Sequence, residues 1–191
     1  MLQKSWLSVA LIFIITINVD GQEAEKKETG EHESMKGTHR ISVLIGHSHL
    51  SHGIMENGKR GWTVIPSWAL DYDYWLNNHW ALGLQNDMMI ESFEVEDHGD
   101  EVIERTRPIV SLASVIFKPK EHVGFVLGMG GEFAKEENFA VTRVGIESGW
   151  EMKKKWEFVA SLGYEIKWNG YDTWVIGMGI SKLLKKKHKA F

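Results

Sequence analysis

From His39 onward, apolar and polar residues alternate with a period of two, and the pattern holds nearly to the end of the chain. That period is the mark of β-strands with one apolar and one polar face. It predicts eight strands, at about 39–51, 63–76, 80–95, 103–117, 123–133, 140–152, 156–168 and 173–183. The first sets Ile41, Val43 and Ile45 against Arg40, Ser42 and Gly46; the second sets Trp68, Leu70, Tyr72 and Tyr74 against Ser67, Ala69, Asp71 and Asp73. In the fourth, Val110, Leu112 and Ile116 form the apolar face against Arg105, Arg107, Ser111 and Ala113. In the seventh, Trp156, Phe158, Leu162, Tyr164, Ile166 and Trp168 oppose Glu157, Ser161, Gly163, Glu165 and Lys167. Each run is near the roughly 9–11 residues that a tilted strand needs to cross a bilayer.

The connections alternate in length. Longer loops are expected at 51–62, 94–102 and 134–139, with a short fourth at 169–172, and tight turns at 77–78, 119–122 and 153–155. Outer-membrane barrels with both ends in the periplasm follow that rule, with short inner turns and longer outer loops. Ahead of the strands lies a targeting segment. Lys4 supplies a positive start, Leu7 to Val19 an apolar stretch too short to span comfortably as a helix, and Val19-Asp20-Gly21 a cleavage site. The organisation read from the chain is a signal peptide at 1–21, a charged disordered periplasmic leader at 22–37, a barrel at 38–184 and a basic periplasmic tail at 185–191.

A soluble barrel has the same alternation with its faces reversed. Three features favour the membrane. Trp62, Trp168 and Trp174 fall toward one end of the strands and Trp75, Trp80, Trp150 and Trp156 toward the other, as aromatic girdles do. Gly83, Gly124, Gly128, Gly130, Gly145, Gly149, Gly163, Gly177 and Gly179 share the polar face, where a narrow lumen needs small residues. The polar face also mixes signs. Asp71, Asp73, Asp87, Glu91, Glu132, Glu147 and Glu165 share it with Arg105, Arg107, Arg143 and Lys167, an inventory that could pair across a lumen.

Composition narrows the function. The 191 residues include no cysteine, which removes disulfides, thiolate metal sites and a lipid-modified cysteine. Net charge is −4 with dispersed basic residues, which does not suit nucleic acid. Mean hydropathy is −0.25, too polar for a helical membrane protein but compatible with strands apolar on one face.

The densest polar cluster is Gly46-His47-Ser48-His49-Leu50-Ser51-His52, at the outer end of the first strand. Parity places His47, His49 and Ser51 on the lipid side at the rim. His47, His49 and His52 offer imidazoles to a metal, with Glu56 as a fourth ligand. His49 and Ser51, two apart on a strand, stand side by side as a base and nucleophile require. Rim histidines that meet only headgroups and water are the simpler expectation.

Over Thr38 to Leu184 the chain resembles the small eight-stranded outer-membrane barrels of the OmpA membrane-domain type. It departs from them at its end, where Lys185-Lys186-Lys187-His188-Lys189 separates the last strand from the terminal Phe191. His49-x-Ser51 looks like the His-x-Ser element of the lipid A deacylase barrels, which add an acid about a dozen positions later. Trp62-Thr63-Val64-Ile65 stands there instead, leaving Glu56 as the nearest substitute. The resulting expectation is an all-β, up-and-down antiparallel barrel in the bacterial outer membrane, with both termini periplasmic. It would be monomeric and non-enzymatic, would need no cofactor, and would serve the envelope or present its loops. Its partners would be membrane lipids including outer-leaflet lipopolysaccharide, and an extracellular partner at the loops. The alternatives are a deacylase-like hydrolase using His49, Ser51 and Glu56, and a narrow, porin-like solute conduit.

Overall fold

Strands with one apolar and one polar face enclose the polar one by closing into a barrel, and this chain closes. The computed structural model describes residues 34–54, 60–96 and 101–185. Its strands are β1 (Thr38–Ile54), β2 (Arg60–Trp75), β3 (Trp80–Met89), β4 (Phe93–Glu96), β5 (Val102–Arg105), β6 (Ile109–Lys120), β7 (Val123–Phe133), β8 (Phe139–Glu151), β9 (Trp156–Lys167) and β10 (Asp172–Lys185). The eight long ones pair antiparallel with their chain neighbours, and β10 pairs β1 to close the barrel. The short β4–β5 hairpin extends from the loop end and touches β1 where Val95 faces Gly53. The signal peptide, most of the leader, Glu56, the His52 side chain and the tail after Lys185 lie outside the described residues.

The outer surface is apolar. Ile45, Leu70, Leu84, Leu127, Met129, Val144 and Met178 all stand exposed along the outward rows. Trp62, Trp168 and Trp174 stand outward toward the loop end, and Trp80, Trp150 and Trp156 toward the turn end. Neighbouring rings reinforce both bands, Trp80 with Phe117 at 4.6 Å, Trp150 with Phe158 at 5.7 Å and Tyr164 with Trp174 at 4.8 Å. A continuous apolar belt between two aromatic bands is the surface of a protein dissolved in lipid.

Four expectations need correction. The third and fourth strands do not run on to Val95 and from Ile103, because the chain bends at Ile90–Ser92 and turns at Thr106–Pro108, freeing β4–β5. Arg107 adopts a left-handed φ of 43°, and Pro108 has no amide to donate, so pairing stops there. That break also inverts the parity of β6. Val110, Leu112 and Ile116 point into the lumen, and Ile109, Val115 and Phe117 point out. Both faces of β6 are apolar, so alternation could not decide between them. Trp75 is fully buried in the lumen with Ala81, Ile116 and Val126, and takes no part in the girdle. Lastly, residues 34–37 of the leader belong to the barrel's turn end: Met35 packs on the Trp75 cluster and Gly37 donates to the Trp75 carbonyl at 2.8 Å.

Some of the lumen glycines sit where a neighbouring side chain is large. A Cβ on Gly128 would meet Leu112 at 3.4 Å, and one on Gly163 would meet the Arg143 stem at 3.4 Å. At the closing seam the constraint is backbone against backbone. A Cβ on Gly46 would stand 2.0 Å from the Ile176 carbonyl oxygen, and one on Gly179 would stand 2.0 Å from that of Val43. Gly179→Ala should therefore destabilise the folded barrel by about 1–3 kcal/mol. Gly149→Ala, where nothing lies within 4 Å, should change it by less than about 0.5 kcal/mol. Denaturant midpoints in detergent check this; equal midpoints would mean the seam is looser than described.

Candidate functional site

Chemistry-bearing side chains lie in the lumen and at the loop end of β1. In the lumen, facing registers bring opposite charges together. Arg40 on β1 lies opposite Asp73 on β2, and its Nε donates to Asp73 Oδ2 at 2.8 Å. Its Nη2 donates to both oxygens of Glu147 at 2.7 and 2.9 Å, and Glu157 lies 4.0 Å from Nη1. Gly124, opposite Glu147, and Gly83, opposite Asp73, leave room for these long side chains.

Toward the loop end a second group forms a continuous ladder. Arg143 on β8 faces Glu165 on β9 and pairs with it directly. Arg143 also reaches Asp87 at 2.5 Å and Gln85 at 3.3 Å across the barrel. Lys167 donates to Glu165 at 2.6 Å and to Thr173 at 2.8 Å, and stands 3.6 Å from Glu132. Glu132 accepts from Arg105 at 2.5 and 3.1 Å and from the Tyr171 hydroxyl at 2.9 Å. Of the eleven charged residues expected to face the lumen, two do not. Glu91 is exposed at the bend after β3, and Arg107 is exposed at the turn before β6, both outside the lumen. Asp71 lines the lumen and accepts the Asn86 amide at 3.2 Å.

Arg40, Glu157 and Tyr171 join this network in addition to the expected charges, as do the neutral Gln85 and Thr173. Arg40 and Glu157 were already on polar strand faces, so a register-aware pairing of β1 with β2 would have found the first. Tyr171 lies in a loop, where no periodicity signals its burial.

Above the ladder the mouth is capped. Leu50, Ile65, Met89, Phe93, Val95, Phe139 and Tyr171 form an apolar cluster across the loop end, with Ile103 against it. Arg105 lies over the Phe139 ring at 4.6 Å and Lys167 over Tyr171 at 4.8 Å, tying cap to ladder. Thr106 pins the β7–β8 loop: its hydroxyl and amide donate to Glu136 at 2.5 and 3.1 Å, and these bonds hold that carboxyl below its ordinary range. Between the two charge groups lies a cavity of about 40 Å³, lined by Ser42, Asp71, Gln85, Arg143 and Ser161 among others. It is room for a few waters. The charges of the two groups are each paired and hydrogen-bonded, as buried charges require.

At the loop end of β1, His47 is exposed on the lipid-facing row, opposite Pro66 on β2 and Ile176 on β10. His49, half-buried, faces Val64 and Trp174. The register slips between Leu50 and Gly53, a bulge that interrupts the pairing of β1 with β2 next to Ser51. The Ser51 hydroxyl donates to the Asp172 carbonyl at 3.1 Å, which orients it toward β10. Among the described residues, no three His, Asp or Glu side chains converge in a way that could hold a metal.

No family model matches the sequence, and no curated protein matches it. Solved structures do. The outer membrane protein OprG from Pseudomonas aeruginosa is 10% identical, with a TM-score of 0.52 over 79% of this chain and 97% of that one. Ail, the attachment invasion locus protein of Yersinia pestis, is 16% identical, with a TM-score of 0.50 over 76% of this chain and 99% of that one. At these identities the likeness is one of architecture, and the architecture is the small, closed, eight-stranded transmembrane barrel of outer-membrane proteins.

Proposed function

We propose that the protein is a non-enzymatic integral barrel of the bacterial outer membrane, with its short turns and both termini on the periplasmic side, that acts through the surface its loop end presents outside. The observation that carries this reading is the filled lumen. Among the described residues, two ion-paired groups and an apolar cap fill the lumen on either side of a cavity of about 40 Å³. An eight-stranded barrel is just wide enough for its own side chains, and a conduit would need a continuous wet path. With the interior committed to packing, the parts free to meet other molecules are the rims and loops. The β4–β5 hairpin enlarges that surface on the loop side.

Two measurements test it. Purified barrel in a planar bilayer should give no steady conductance; stable single-channel steps would replace this reading with a conduit. An epitope placed between residues 55 and 59 should be reached by antibody on intact cells, whereas one placed at Lys154 should be reached only after permeabilisation. The opposite pattern would invert the orientation. For the hydrolase alternative, release of fatty acid from lipid A that is abolished by both His49→Ala and Ser51→Ala would overturn the non-enzymatic reading.

A further inference from the structure

The turn end carries a lysine group whose placement the fold itself does not require. Lys153, Lys154 and Lys155 connect β8 to β9, all exposed. Lys154 and Lys155 both adopt the left-handed backbone, with φ of 64° and 63°. Tight hairpins favour Asn or Gly at such positions, and lysine is disfavoured there. Local turn chemistry therefore does not explain Lys154 and Lys155. Lys182 adds a fourth ammonium from β10. It continues the lipid-facing row of Met178 and Ile180, with its Nζ 4.6 Å from the centre of the Trp156 ring and donating to the Lys154 carbonyl at 2.7 Å. Trp150 and Phe158 complete an aromatic floor beside it. Glu151 is the acid adjoining the group in sequence. The loop end has the opposite character, with Glu91, Glu94, Glu104, Glu136 and Glu137 exposed.

We propose that Lys153–Lys155 and Lys182, set against the Trp150–Trp156 girdle, bind the phosphate of an anionic glycerophospholipid in the leaflet at the turn end. Three features carry this. The lysines stand at the level of the girdle, where headgroups lie. Lys182 reaches that level from a lipid-facing row, its stem along apolar surface and its charge at the interface. Clustered lysines beside an indole floor present donors to a phosphate and apolar area to the first acyl carbons. The inference rests on the reading that this barrel spans a membrane.

The test uses the whole folded protein in mild detergent, offered phosphatidylglycerol and phosphatidylcholine of identical chains in equal amounts. Bound lipid is counted by native mass spectrometry. Phosphatidylglycerol should be preferred by about tenfold or more, given the contribution of each lysine near an anionic surface. The variant with Lys153, Lys154, Lys155 and Lys182 all changed to Gln should fall toward equal binding. Lys135→Gln at the other end should keep the preference. If the fourfold variant does not fold, Lys153→Gln and Lys182→Gln are read singly, each losing part of the preference. Equal binding by the unaltered protein, or a preference that survives the lysine changes, overturns the proposal. A stronger preference for lipopolysaccharide that the same changes abolish would overturn the glycerophospholipid assignment. A protein that folds and stays soluble without detergent would instead refute the membrane reading beneath it.

Discussion

Arg143→Ala should lower the stability of the folded barrel by about 3–5 kcal/mol, the range for removing one partner of a buried ion pair. Arg143 is the only cation within 4.0 Å of Asp87 among the described pairs, and it also holds Glu165 and Gln85. Its loss leaves Asp87 uncompensated in a largely buried site, while Glu165 keeps Lys167. Arg143→Lys should recover part of the loss, since an ammonium restores charge but not the forked geometry that spans three acceptors. Lys135→Ala, on an exposed loop, should change stability by less than about 0.5 kcal/mol. Urea midpoints in detergent micelles, followed by tryptophan fluorescence, measure all three. Equal midpoints for Arg143→Ala and Lys135→Ala would mean that the lumen is wet.

Arg105→Ala should be as damaging, again by about 3–5 kcal/mol, and should also open the mouth. Arg105 is fully buried and comes from the β4–β5 hairpin, so it joins the cap to the ladder. It donates twice to Glu132, once to the Glu137 carbonyl at 2.6 Å, and lies on Phe139. Without it, Glu132 retains Tyr171 and the more distant Lys167, but the hairpin loses its polar anchor. Brief conductance events absent from the unaltered protein should appear in planar bilayers. Arg107→Ala, two residues away but exposed, should show neither effect. If Arg105→Ala stays silent and stable, the apolar cluster alone seals the barrel.

The architecture was legible because a closed barrel imposes one simple rule on each long strand. Where that rule was unambiguous, as in β2, β7, β9 and β10, the faces assigned from alternation match the observed ones. It failed in β6, where Ile109, Val115 and Phe117 on one face and Val110, Leu112 and Ile116 on the other are all apolar. Register there follows from the turn at Arg107-Pro108, a feature of backbone geometry that hydropathy does not record. The lumen ladder was legible in kind, since mixed charges on the polar rows must pair. Its partners were only partly so. Arg40 was visible as a polar-face residue, but its three carboxylates come from β2, β8 and β9, and only the closed geometry brings those strands to one place. Trp75 misled because indoles near strand ends usually mark an interface, whereas its parity, shared with Asp73, already placed it inside. Beside the histidine and serine pair, the bulge between Leu50 and Gly53 is a feature that no residue pattern announces.

The central claim is that this chain crosses the membrane as a closed barrel with its apolar faces in lipid. Gel mobility of the carbonate-washed membrane fraction, run unheated and boiled, tests it most directly. The protein should remain in the membrane after washing and should migrate differently before and after boiling, as a closed barrel that unfolds only on heating does. Release into the aqueous phase as a folded monomer, with the same mobility in both lanes, would contradict it.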